Sequence, residues 1–150
     1  MQGNGVFNNP VLIAAFISWS VAQSLKIPLE YLRTHRWNWA VFFSTGGMPS
    51  AHSSLMTSTA LTIGLFYGFA SPLFGLAVAV AMVVIYDAGG IRRQAGYHAR
   101  KINIMINELF SGQAVSEEQL KEVLGHTPRE VVGGITLGTA VSLLVKLLWH

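Results

Sequence analysis

Residues 37–86 form a run of 50 without one Asp, Glu, Lys or Arg. Such a run cannot supply a soluble surface. It is long enough to cross a bilayer twice, at about 20 residues per crossing. The remaining charge is segregated to match. Residues 1–25 carry none, 26–36 carry Lys26, Glu30, Arg33 and Arg36, and 87–130 carry all the rest except Lys146. Charged side chains make up 11% of the 150 residues, against roughly 25% in ordinary globular domains. A soluble enzyme is excluded on that count. The net charge of +3 is too small and too local for a nucleic-acid surface, and in a membrane protein such charge reads as topology. With no cysteine, neither a disulfide framework nor a thiol nucleophile is available.

The expected fold class is therefore all-α: a single membrane domain over 1–150, with about four spanning helices and a helical loop on one side. The spans are predicted at about 10–25, 51–70, 73–86 and 131–149. The N-terminal stretch has no basic region ahead of its apolar run, so it reads as a retained helix and not a signal peptide. Ser71-Pro72 punctuates the chain between spans two and three. Gly134 and Gly138 stand at small-xxx-small spacing, which favours close helix packing. Ser116-Glu117-Glu118-Gln119 reads as a capping box opening a short amphipathic helix inside the longer loop. Loops 26–39 and 87–130 hold nine of the ten Lys and Arg residues. Four crossings put both loops on one side, which the positive-inside rule makes cytoplasmic, with both termini outside.

Three motifs carry chemistry. Ser44-Thr45-Gly46-Gly47-Met48-Pro49-Ser50-Ala51-His52-Ser53 is a glycine-containing turn entering a helix. Free N–H groups and the positive end of the helix dipole make such a start an anion site. The plainer alternative is a helix start capped by Ser50, with His52 a bystander. In Gly125-His126-Thr127-Pro128-Arg129-Glu130, Thr127 and Glu130 form a capping box and Pro128 takes the first helical position. Capping explains those three residues but not His126. Spans two and four both start from the same face, so His52 and His126 can meet there, as nucleophile and general acid would. Last, Lys26 and Arg33 lie seven residues apart, on one side of a helix. The alternative for them is flanking charge alone.

Lys-x6-Arg, then Pro-Ser-Ala-His, then Gly-His-Thr-Pro-Arg-Glu-Val-Val-Gly-Gly resembles the three-part signature of the type 2 phosphatidic acid phosphatase and vanadium haloperoxidase superfamily. With Asp87-Ala88-Gly89-Gly90-Ile91-Arg92-Arg93-Gln94-Ala95-Gly96, the pattern is similar to its divergent, YuiD-like branch over nearly the whole chain. The resemblance implies that His126 attacks phosphorus, Glu130 orients it, and His52 protonates the leaving oxygen. It implies that Lys26, Arg33 and the backbone of Ser50 and Ala51 hold the phosphate, with no metal or cofactor. Three departures stand out. Thr34 follows Arg33 where the family has proline, Ala51 replaces a glycine, and Leu120 occupies the place of an arginine six residues before His126. Arg92 or Arg93, from the same loop, is the candidate replacement.

The function expected from the resemblance is a phosphatase of a membrane lipid or isoprenoid phosphate, in a bacterial cell membrane with its site toward the cytoplasm. The alternative is a non-catalytic protein that binds or moves such a lipid. The bilayer and a phosphorylated lipid are the expected partners, nucleic acid is not one, and homo-oligomerisation is left open.

Overall fold

A computed structural model of the protein describes residue 5 and residues 8–44, 46–109 and 125–149. Among these residues five α-helices follow one another: α1 (Pro10–Thr34), α2 (Ala51–Tyr67), α3 (Pro72–Gly89), α4 (Ile91–Leu109) and α5 (Pro128–Leu148), with a 3-10 turn (Trp39–Phe43) between the first two. No strand occurs among the described residues. The boundaries follow local rules. The Asn9 side chain accepts the N–H groups of Val11 and Leu12 at 3.0 and 3.3 Å, with Pro10 in the first turn, where its missing N–H costs nothing. Ser50 caps α2, Ser71 caps α3, and Thr127 and Glu130 form a complete capping box on α5.

Among the described residues three stretches are long and apolar enough to cross a membrane: Pro10–Thr34, Pro72–Ile106 and Pro128–Leu148. Helix α2 is 17 residues long, about 26 Å at 1.5 Å per residue, and it packs against α1, α3 and α5. The architecture is an all-α membrane bundle built around α2.

One expectation about extent is corrected. The first helix does not stop near residue 25 but continues through Pro28 to Thr34. Lys26, whose charge suggested the end of the span, turns inward at 2% exposure and donates from Nζ to the Ser44 carbonyl at 2.8 Å. A charge with an internal partner does not force the helix to end. The stretch after residue 87 is helical almost at once, since α4 begins at Ile91. The short helix expected near residue 116 lies outside the described residues.

The core contains little bulk. Among the described residues the largest fully buried side chains are Lys26, His126, Thr62 and the serines 18, 50, 53, 54, 58 and 142. Leu12, Phe16, Leu76, Met82, Val83, Leu143, Leu144 and Leu147 face outward. A water-soluble protein would not present so much apolar surface. In lipid there is no hydrophobic drive between helices, so small residues that allow close approach, and polar links, hold them together. Both devices are present. Ser18 of α1 shares a 2.6 Å hydrogen bond with Ser54 of α2, and Ser142 of α5 donates to the Ser58 carbonyl at 3.1 Å. A Cβ on Gly134 would fall 2.4 Å from the Ser50 carbonyl oxygen, and one on Gly138 would fall 2.4 Å from that of Ser54. The small-xxx-small pair is thus the crossing point of α5 over α2.

These contacts also fix direction. Lys26 meets Ser44 and Gly47, and His126 meets Ala88, at one end of the bundle. At the other end Phe69 stacks edge-on with Phe74, and Lys146 sits 4.2 Å above the Phe66 ring, which meets Trp149.

Candidate functional site at one end of the bundle

The crossing of α2 and α5 at Gly134 brings the two helix starts side by side. The Ser50 N–H donates to the Glu130 carbonyl at 2.9 Å, tying the two N-termini together. His52, in the first turn of α2, and His126, two residues before α5, then face each other with ring centres 6.1 Å apart and planes inclined by 60°. The two residues are 74 positions apart in sequence.

His126 is held from three directions. Its backbone N–H donates to the Ala88 carbonyl at 2.8 Å. Gly125, at φ +82°, lets the chain press against the start of α4, where a Cβ would fall 2.4 Å from the Arg93 nitrogen. Its ring Nδ1 lies 3.1 Å from Oε2 of Glu130. The same Oε2 accepts the Thr127 N–H at 3.0 Å. The ring is 2% exposed, and its Nε2 is buried with no hydrogen-bond partner among the described residues. An imidazole with Nδ1–H pointed at a carboxylate keeps a lone pair on Nε2. Such a nitrogen can act as a nucleophile or accept a proton.

Helix α2 contributes its N-terminus. Ser50 Oγ accepts the Ser53 N–H at 3.2 Å, and Ser54 N–H bonds the Ser50 carbonyl. The N–H groups of Ala51 and His52 have no carbonyl within the helix. The expectation that Ser50 offers its own N–H to an anion is corrected: that N–H donates to the Glu130 carbonyl. What remains at the helix start is the pair at Ala51 and His52, at the positive end of the dipole.

Of the cations, Lys26 and Arg92 both act electrostatically on His52, and Lys26 is the buried one. Its stem lies 3.8 Å from the position of a Gly47 Cβ, beneath the glycine turn, and it interacts electrostatically with both Glu130 and His52. Arg33 is exposed and makes no hydrogen bond or ion pair among the described residues. The two candidate replacement arginines differ. Arg92 acts on His52 and bonds Asp87 at 2.6 Å. Arg93 donates to the Tyr97 hydroxyl at 3.0 Å and lies over that ring. Among the described residues no group of His, Asp or Glu is arranged to hold a metal ion.

An open apolar groove of about 790 Å³ is lined by Met82, Val83, Tyr86, Ile91 and Ile135, with Asp87, the partner of Arg92, on its wall. Sequence reasoning missed this groove, Asp87, and the buried serines. The serines had a legible signal: Ser50, Ser54, Ser58 and Thr62 recur every four residues on α2, one stripe of a helix.

No solved structure matches the chain. It is 34% identical to the uncharacterized membrane protein YuiD of Bacillus subtilis (strain 168), an alignment that covers 93% of this chain and 96% of the relative. The family model described as the divergent PAP2 family matches residues 7–141. With an all-helical membrane bundle and paired histidines at one end, the chain belongs to the divergent PAP2 family.

Proposed function

We propose that the protein hydrolyses a phosphate ester of a membrane lipid or isoprenoid through a phosphohistidine on His126. The observation that carries this reading is His126 itself, with Nδ1 on a carboxylate, a buried, unbonded Nε2, and a second histidine ring 6.1 Å from its own. Nε2 attacks phosphorus while the ester P–O bond breaks. The leaving oxygen takes a proton from His52. A water then attacks the phosphohistidine, His52 accepts its proton, and the P–N bond breaks to release phosphate. Glu130 stabilises the imidazole as positive charge develops during attack. Ring centres 6.1 Å apart allow one phosphoryl group to touch both side chains.

Charge on the pentacoordinate oxygens would be met by Lys26, Arg33 and Arg92, and by the N–H groups at Ala51 and His52. Preorganised donors of this kind act where charge develops. Arg92 fits the role left vacant at Leu120 better than Arg93, which is turned to Tyr97. A lipid substrate fits the surroundings, because the groove beside Asp87 is apolar and would take a hydrocarbon chain while the phosphate reaches the histidines. On the positive-inside rule this end of the bundle faces the cytoplasm. No metal or cofactor enters the scheme.

Detergent-purified protein assayed on dodecyl phosphate and on p-nitrophenyl phosphate tests the proposal. His126→Ala should abolish turnover of both. His52→Ala should slow dodecyl phosphate far more than the aryl ester, whose oxygen departs without a proton. Wild type that turns over neither ester, yet binds dodecyl phosphate, would establish the non-catalytic lipid binder instead.

A further inference from the structure

Asp87 has no part in the scheme above, yet it holds one of its cations. Arg92 Nε donates to Asp87 Oδ2 at 2.6 Å. Residues five apart on a regular helix lie about 140° apart around the axis, so this pair would not ordinarily meet. The break between α3 and α4 makes it possible. Gly90 adopts φ −105° and ψ −84°, well away from helical values. A Cβ there would fall 2.8 Å from the Tyr86 carbonyl oxygen.

The same break seats the His126 segment. Ala88, between Asp87 and the break, accepts the His126 N–H. The space beside Gly125 is closed by the Arg92 carbonyl carbon and the Arg93 nitrogen. The carboxylate, the guanidinium and the histidine are therefore parts of one backbone arrangement, and the charges of Asp87 and Arg92 both reach His52.

The stereochemistry of the bond matters. A guanidinium carries five N–H donors in a planar fork. Bonding through Nε engages one edge of that plane and leaves the Nη groups free. The side chains are 49% exposed for Arg92 and 32% for Asp87, so an anion can reach the free edge.

We infer that Asp87 is a positioning residue, which clamps Arg92 by Nε so that its two Nη groups are presented to the phosphoryl group at His52 and His126. This rests on the phosphate-site reading above. Asp87 touches neither substrate nor the reacting atoms. It acts through Arg92, by removing the rotamer freedom that a long exposed side chain would otherwise lose on binding.

Vanadate, which adopts the trigonal-bipyramidal shape of the transition state, is the probe, with binding to the purified full-length protein measured by calorimetry. Asp87→Asn should weaken vanadate binding about tenfold, as expected when one charge-assisted contact is lost, and Arg92→Ala should weaken it to a similar extent. The double variant should bind no more weakly than Arg92→Ala alone, because the two residues act as one unit. Asp87→Glu should recover most of the loss. Arg92→Lys keeps the charge but has no fork, so it should behave like Arg92→Ala, which provides a second test should Asp87→Asn fold poorly. The proposal is overturned if Asp87→Asn binds vanadate as tightly as wild type, if its loss adds to that of Arg92→Ala, or if Arg92→Lys is unimpaired. It is equally overturned if wild type does not bind vanadate. Binding with the expected pattern but no turnover of any phosphate ester would sink the phosphatase reading and leave the clamp standing.

Discussion

One carboxylate oxygen of Glu130 serves two neighbours: Oε2 lies 3.1 Å from Nδ1 of His126 and accepts the Thr127 N–H at 3.0 Å. The capping box and the contact to the histidine thus share one oxygen, so Glu130 need not be assigned to either role alone.

That double use separates charge from shape. Glu130→Gln keeps an oxygen for the Thr127 N–H, so the change in thermal stability should stay within about 1 kcal/mol, the scale of a single cap. The charge that stabilises an imidazolium is lost, and turnover should fall on the order of 10²-fold or more. A Gln variant with wild-type turnover would reduce Glu130 to a cap.

Lys26 is buried with its amine on the Ser44 carbonyl and its stem under Gly47. Lys26→Met retains most of that stem. It should cost about 1 kcal/mol in stability, the net worth of one buried hydrogen bond, while phosphate or vanadate affinity falls about tenfold with the loss of a cation. Isothermal titration alongside a melting curve separates the two effects. Unchanged anion affinity would remove Lys26 from the site.

The crossing of α2 and α5 depends on two glycines. Gly134→Ala and Gly138→Ala would each drive a methyl group into a carbonyl oxygen 2.4 Å away. Each should destabilise the protein by about 1–3 kcal/mol, the usual cost of overpacking. Because the same crossing sets the gap between His52 and His126, turnover should fall as well. Gly75, with nothing within 4 Å of its Cβ position, is the control, and Gly75→Ala should melt as wild type does. Chemical denaturation in detergent micelles would show the contrast, and equal stabilities at 75 and 134 would contradict the packing.

Topology can be read directly, because the chain has no native cysteine. Ala70→Cys, exposed at one end of the bundle, should react with a membrane-impermeant maleimide in intact cells. Arg36→Cys, exposed at the other end, should react only after the membrane is opened. The reverse pattern would place the histidines outside and refute the cytoplasmic assignment.

Much of this protein is decided by short-range chemistry that a sequence displays. The charge-free stretch 37–86 requires a membrane whatever the tertiary arrangement, because no partner for its apolar surface exists in water. Ser50 and Thr127 mark helix starts, since a cap needs only the next few N–H groups. The resemblance also named the two histidines. Other features depend on groups distant in the chain. Lys26 looked like the end of a span until the Ser44 carbonyl, 18 residues on, gave its amine a buried partner. Ser50 promised a free N–H until Glu130, 80 residues later, took it. The pairing of Arg92 with Asp87 rests on the backbone at Gly90, whose departure from helical geometry accompanies a 2.6 Å contact between residues five apart. Periodicity and caps are set by neighbours along the chain. The 6.1 Å gap between His52 and His126 is set by how closely α5 can lie on α2, and that is a property of two surfaces, which exist only once both helices have packed.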